Sequence, residues 1–235
     1  FAGYTKMRAS DIFELTSAQS ESSYGRSVRA DGENISAARS NFMVEHKFIS
    51  SLDYTTQLIG NNDTRFSLVY VRKSGEPYSV TFDGYDDAFA NDRSDGGYDA
   101  AYVPTGASDP NVVFSSAAVA DSVMAHVNSS GLASYKGQIV PRNAFNSPWM
   151  SSLDLRITQD INVMDGHKVI LYLDITNVLN LIDDDKGIMR EYSNRSRQII
   201  LDEDNPYDSQ GRYNITGVDP DAVSYTHLTL PTIMP

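Results

Sequence analysis

The side chains in this chain best able to do chemistry are carboxylates. Asp83, Asp86, Asp87, Asp92, Asp95 and Asp99 crowd one Gly-rich stretch, and Asp183, Asp184 and Asp185 stand side by side. Ca²⁺ binds through roughly six to eight oxygens, so either group has ligands enough. Neither has the spacing of an EF-hand loop, and we read both as solvated loops. Glycoside hydrolysis needs two carboxyl groups, one with a raised pKa. The 31 acidic residues supply pairs by number, but no pair sits in an apolar setting that would raise one of them. His46, His126, His167 and His227 are scattered and show no His-x-x-x-His ligand spacing. No nucleophile elbow, phosphate loop or dinucleotide fingerprint occurs, and Ser74-Gly75 reads as a strand irregularity. The expectation is a protein that is not an enzyme and carries no metal or cofactor.

The totals narrow the partners. A net charge of −12 argues against nucleic acid, whose phosphates need Lys and Arg clusters. With no cysteine, a disulfide framework and Cys-based zinc sites are excluded. No apolar run approaches the ~20 residues of a spanning helix, which excludes a helical membrane protein. A β-barrel stays open, because each of its strands carries only a weak alternating signal. Fourteen Tyr and nine Phe against one Trp suit interface girdles, and ordinary sheets nearly as well.

The clearest periodicity lies at 150–180. Leu153, Leu155 and Ile157 alternate with Asp154, Arg156 and Thr158. Val169, Leu171, Leu173 and Ile175 alternate with Lys168, Tyr172 and Asp174, with Ile170 as one break. Period two gives strands with one apolar face, and Asp165-Gly166 between them signals a tight hairpin. Such a hairpin fits a soluble sandwich, and it fits a barrel with lipid outside and water within. Elsewhere, Tyr4 to Phe13 reads as a strand. Phe42 to Leu58 reads as another, with Phe48, Leu52, Tyr54 and Leu58 on one parity. Gly60 to Asp63 is a turn, and Arg65 to Phe82 a long strand with Pro77 as a bulge or rim. Residues 14–41 read as a long loop. Residues 83–148 read as an irregular segment holding one short helix over 115–127, with Val119, Val123 and Val127 at helical spacing and Ser115 or Ser116 as cap. Ile188 to Leu201 is a weaker strand, 202–211 a turn, and Tyr213 starts a further strand. The connections at 60–63, 164–166 and 202–211 are short; those at 14–41, 83–148 and 181–187 are longer, as in a transmembrane barrel. A loop the length of 83–148 is strange inside a compact soluble domain.

Five segments, in order, resemble the large Oar-like subclass of TonB-dependent outer-membrane receptors, over roughly Tyr4 to Val218. They are Asp11-Ile-Phe-Glu-Leu-Thr-Ser-Ala-Gln19, Ser74-Gly-Glu-Pro-Tyr-Ser79, Asp99-Ala-Ala-Tyr-Val-Pro104, Arg142-Asn143 through Trp149, and Leu173-Asp-Ile-Thr-Asn-Val-Leu-Asn180. The resemblance implies an all-β fold: part of an antiparallel transmembrane β-barrel, about seven strands in an open sheet. It implies a location in the outer membrane of a Gram-negative bacterium and active uptake of a scarce ligand of unknown identity. The implied partners are outer-membrane lipid and the TonB system. The plug and the TonB-contacting segment of that family come much earlier than the residues matched here. Two departures concern the end of the chain. Residues 224–235 carry Pro231 and Pro235 and lack the aromatic finish of such barrels, so 1–223 reads as the barrel portion and 224–235 as a foreign tail. On this reading the chain is a fragment, and the strand near Tyr213 is an open edge.

In a barrel the parity of the hairpin assigns Leu153, Leu155, Ile157, Val169, Leu171, Leu173 and Ile175 to the lipid side. It assigns Asp154, Arg156 and Asp174 to the lumen. Trp149, after Pro148 at the start of a strand, falls in the interface girdle. The alternative from another class is a soluble carbohydrate-binding or adhesive β-sandwich, in which the same leucines face a second sheet.

Overall fold

The computed structural model describes residues 1–13, 17–30, 36–83, 98–192, 195–221, 225–227 and 232–234. The chain opens with β1 (Ala2–Lys6), β2 (Ser10–Asp11), a short helix α1 (Ser20–Gly25) and β3 (Ala38–Arg39). Two long strands follow, β4 (His46–Ile59) and β5 (Asn62–Lys73), and then β6 (Pro77–Asp83). β7 (Val112–Phe114), α2 (Ala117–Ser129) and β8 (Phe145–Asn146) come next. The second long pair is β9 (Met150–Met164) and β10 (His167–Thr176), followed by α3 (Val178–Ile182) and β11 (Met189–Glu191). β12 (Arg195–Leu201), β13 (Tyr213–Val218), β14 (Tyr225–His227) and β15 (Thr232–Met234) complete the order.

These strands divide into two principal sheets. One is a six-stranded antiparallel sheet, β1-β4-β5-β9-β10-β15. The other is a five-stranded mixed sheet, β7-β13-β12-β6-β8, in which β12 runs parallel to β6 and β13 parallel to β7. The fold is mostly β, as the sequence predicts, and the long sheet is open, with no closed barrel among the described residues.

The two sheets differ in what they bury. The hydrophobic core is built from Val80 and Phe82 of β6, Ile199 and Leu201 of β12, and Ile215 of β13, under Val123 and Val127 of α2. Tyr102, Val103, Leu132 and Val140 close it from the intervening segments. Burying one such side chain contributes about 1.5–3 kcal/mol. Helix α2 forms where its valines recur every fourth residue. The Ser116 hydroxyl caps it, accepting from Val119 N at 3.2 Å. Among the described residues, none of the buried apolar side chains of the core belongs to the long sheet.

This partition corrects several expectations. Arg65 to Phe82 is not one strand: it breaks at Ser74–Glu76, and Pro77 marks a change of sheet rather than a bulge. The segment 83–148, expected to be irregular around one helix, supplies much of the core; its residues 84–97 lie outside those described. Residues 195–201 and 213–218 join the mixed sheet instead of the long one, and β13 lies between β12 and β7 rather than at an open edge. The 202–211 connection therefore belongs to that second body. The all-antiparallel expectation fails at β12/β6 and β13/β7. Within residues 224–235, read from sequence as a foreign tail, β15 lies beside Asp174–Thr176 and β14 beside β11.

Sidedness is as expected for the long sheet. Lys6 pairs with His46, Lys47 with Lys73, and Lys73 with Met150, so these residues share one end. The tight turns at Gly60-Asn61 and Asp165-Gly166 share the other, with Gly166 at φ +79° supplying the left-handed turn residue. The segments that follow β5 and β10 leave from the first end and build the mixed sheet there as a cap, and the segment between β1 and β4 leaves from the same end to form α1 and the small β2–β3 sheet.

The crossing from sheet to cap needs Gly75. A Cβ at that position would lie 2.2 Å from the Ser147 carbonyl oxygen. Ser147 N donates to Glu76 O at 2.9 Å across this close pass, and Asn146 Nδ2 donates to Gly75 O at 3.1 Å. Gly75→Ala should cost about 1–3 kcal/mol, the usual penalty of forced overpacking. Gly106→Ala, with open space around it, should be near neutral. Denaturant midpoints of the near-ultraviolet circular dichroism of the detergent-solubilised chain check this; equal midpoints for the two variants would contradict it.

Candidate functional site

Residues paired across an antiparallel ladder share a face, so the register settles which side chains lie together. Tyr4, Phe48, Arg72 and Ser151 form one row. Leu52, Leu68 and Leu155, and beside them Tyr54, Phe66 and Ile157, form the next rows. Leu173 pairs with Ile157, Ile175 with Leu155, and Val169 with Ile161. Leu153 joins through Tyr70, and Leu171 through Gln159. All seven residues predicted from parity thus lie on one face, continuous over four strands. The parity of Phe48, Leu52 and Tyr54 holds too, until a register irregularity after Thr56 interrupts it before Leu58.

This face is uncovered. Leu52 is 62% exposed, Tyr54 60%, Leu171 55% and Val169 47%. Two of its polar members meet: Thr64 Oγ1 donates to Gln159 Oε1 at 2.5 Å, while Gln159 Nε2 donates to the backbone carbonyl of Asp160 at 2.7 Å. From Leu153 to Val163 the apolar band runs ten residues of strand, about 33 Å along the chain at ~3.3 Å per residue. With a barrel-like tilt this gives a band about 25 Å tall.

The opposite face is charged. Asp154, Arg156 and Asp174, predicted to lie together, do so. Arg156 Nε donates to Asp174 Oδ1 at 2.6 Å and Nη2 to Oδ2 at 2.7 Å, a two-pronged pair. Asp154 Oδ1 accepts from Asn177 N at 2.8 Å. Lys168 Nζ meets Asp160 Oδ2 at 2.8 Å, and Ser67 Oγ donates to Asp53 Oδ1 at 2.5 Å. Ile170, the break in the alternation, falls on this face with Ile49, Val69 and Val71.

At the cap end the apolar face finishes in an aromatic cluster. The Tyr4 and Phe48 rings lie 4.6 Å apart, and His46 stacks on Trp149 at 5.9 Å. The Arg72 guanidinium lies 5.3 Å from the Trp149 ring centre, and Tyr4 Oη and His46 Nδ1 are hydrogen-bonded at 2.7 Å. Trp149 is half exposed there.

The sequence reading missed the polar side chains that fasten the cap. Arg142 Nη2 reaches Asp11 Oδ1 at 2.7 Å. Buried Asn143, at φ +57°, accepts from Ser79 Oγ at 3.0 Å and donates to Arg39 O and Asn41 Oδ1. Asn180 Nδ2 holds the carbonyls of Asp184 and Lys186. Asp109, 5% exposed, accepts from Thr105 N, Thr105 Oγ1, Asn111 N and Tyr102 Oη. The signals were there: Asn is the non-Gly residue most at ease at positive φ, and Asp readily caps its own turn. A cavity of about 530 Å³ opens beneath this junction, lined by Arg29, Arg39, Tyr135, Ile139 and Arg142 among others.

Among the described residues no three His, Cys, Asp or Glu side chains come together to hold an ion. Asp183 bonds Lys186 at 3.0 Å and accepts from Asp185 N, so that acidic run closes its own turn. Asp99 is buried in the cap, Asp83 pairs with Arg197, and Asp86, Asp87, Asp92 and Asp95 lie outside the described residues. No described helix is long and apolar enough to cross a membrane. No protein-family model, curated protein or solved structure matches the chain.

The cap should be stable between two pH limits. Burial pushes the Asp109 carboxyl up, but the four hydrogen bonds it accepts outweigh this and hold it below the ordinary value. A lowered folded pKa stabilises above the unfolded value, about 3.9, and that stability is lost as pH falls through the folded one. Burial first, then the neighbouring Tyr102 and Asp99, push Tyr213 up to about 12; burial, then Tyr192, does the same for Tyr78. A raised tyrosine stabilises below the unfolded value of about 10 and loses that contribution as pH rises through the folded one. Unfolding midpoints should therefore fall below pH ~4 and above pH ~10. Asp109→Asn should flatten the acid limb alone, and an unchanged acid limb in that variant would remove Asp109 from this role.

Proposed function

We propose that the long sheet is a stretch of transmembrane barrel wall. The chain on this reading is the barrel portion of a TonB-dependent receptor, taking up a scarce ligand across the outer membrane of a Gram-negative bacterium. The observation that carries the wall reading is the apolar face, continuous over four strands, uncovered, and finished by aromatic rings at one end. In water such a face is a liability far larger than the scattered apolar side chains of ordinary surfaces. In lipid it is the required exterior, and the salt-bridged face behind it is the wet interior. A sandwich would need a second sheet over Leu52, Tyr54 and Leu171, and the mixed sheet keeps its core to itself. The receptor reading rests on the five sequence segments. Several of them occupy junctions: Ser74–Ser79 is the crossing into the cap, Arg142-Asn143 its fastening, and Asn177 and Asn180 the clamp after β10. The cap would meet ligand outside the cell, and energy would reach the barrel through the TonB system. No catalytic role is proposed.

Leu171→Arg and Ile170→Arg test the wall at one depth on opposite faces. Stability in lipid vesicles should drop by about 2–4 kcal/mol for Leu171→Arg and little for Ile170→Arg. Equal losses would sink the assignment of faces. For the parent gene product, fractionation should recover it in the outer membrane, released only by detergent; recovery in the soluble fraction would favour the sandwich.

A further inference from the structure

We infer that the cap-side rim of the apolar face is a docking surface for the phosphate headgroups of an anionic lipid leaflet, with Lys6 and Arg72 as its cations. The inference rests on the barrel-wall reading. Lys6 pairs with His46 and Arg72 with Phe48, so both lie on the apolar face at its cap-side end. Tyr4, Phe48 and Trp149 lie at the same height. The apolar band begins on the next rows, with Leu153 opposite Tyr70 and Leu52 opposite Leu68.

The chemistry of this row matches one layer of a bilayer. Aromatic rings settle at the headgroup level, and cations beside them meet phosphate. The chain carries a net charge of −12, so its cations have an excess of acids to pair with. Neither Lys6 nor Arg72 has an acidic partner among the described residues, although Glu45 stands close enough to meet Arg39 and His46 at 3.6 Å each. Arg72 lies over the Trp149 ring, so its guanidinium is held at the belt. At the turn end the same face finishes on Ile161 and Val169, without Lys or Arg among the paired residues. The asymmetry selects one leaflet, the one beside the cap.

Trp149 is the single tryptophan, so it reports locally on this rim. The detergent-refolded full chain is mixed with vesicles of phosphatidylcholine, or of phosphatidylcholine with phosphatidylglycerol. Partition is read by flotation and by the Trp149 emission shift. The expectation is flotation with both and tighter binding to the anionic vesicles. That preference should weaken about five-fold for each cation removed in Lys6→Gln and Arg72→Gln. The control is Lys47→Gln with Lys73→Gln, a pair at the same height on the opposite face, which should keep the preference. Equal partition into both vesicles, or equal loss in the control, overturns the phosphate site and leaves the wall reading standing. Competition by inorganic phosphate at the concentration of the lipid phosphate overturns the headgroup assignment in favour of a free-anion site. Flotation with neither vesicle overturns the wall reading itself.

Discussion

An apolar sheet face must have something against it, and among the described residues the long sheet has nothing. Its four main strands align leucines, isoleucines and aromatics into one continuous surface that no described element covers. Fully burying one exposed side chain of this kind contributes about 1.5–3 kcal/mol, so a cover over the face would be strongly stabilising, and the described residues do not supply one. The rest of the architecture follows. The core that makes the molecule cohere sits in the cap, and the sheet is held from one end through hydrogen-bonded junctions.

Those junctions are polar because a crossing between two sheets leaves backbone groups unpaired, and buried groups need partners. At the first crossing, Ser74 N donates to His46 O at 2.8 Å, Ser74 Oγ accepts from His46 N, and the bare Cα of Gly75 lets the 147–148 backbone pass. At the second, Asn143 joins Ser79 to the 39–41 segment while Arg142 draws in Asp11. At the third, Asn177 in the left-handed region takes Asp154 of the charged face and the carbonyl of Gly187. At each, side-chain hydrogen bonds take up backbone groups where a strand of the ladder ends.

How much of this was legible follows from which interactions are local. Period-two alternation and an Asp-Gly turn are local, so the β9–β10 hairpin, its faces and the Arg156–Asp174 pairing could be read from the chain. The α2 cap at Ser116 is local as well. The mixed sheet was not legible, because β6, β12 and β13 are brought together across more than a hundred residues. Their short apolar runs, Val-Thr-Phe and Gln-Ile-Ile-Leu, look the same in a wall strand as in a buried one. The core residues of 98–148 come from α2, short edge strands and isolated bridges such as Tyr102–Ile139, none of which repeats long enough to show a period, and this made 83–148 look like a loop when part of it was core. Pro77 suggests a bulge or a rim, and the rim is the alternative the strand break at Ser74–Glu76 matches. A proline that opens a strand, two residues after Gly75, also fits a chain changing sheets.

The sheet's edges add a last constraint. β1 pairs with β4 only over His46–Ser50, with Phe1 adding backbone bonds to Ser51, and β15 pairs with β10 only over Asp174–Thr176. The outer edges of Leu52–Ile59 and of His167–Leu173 are left without strand partners among the described residues, both toward the turn end. In water such edges template aggregation. In lipid every unpaired amide and carbonyl within the apolar band costs several kcal/mol, so a bilayer tolerates the sheet only if further strands take both edges. Six strands also fall short of the smallest closed barrels, which have about eight. The uncovered face and the unpaired edges therefore make the same physical demand. A sheet apolar on one side, charged on the other and open along both margins would, as the barrel wall proposed above, reach a stable state in a membrane by continuing around.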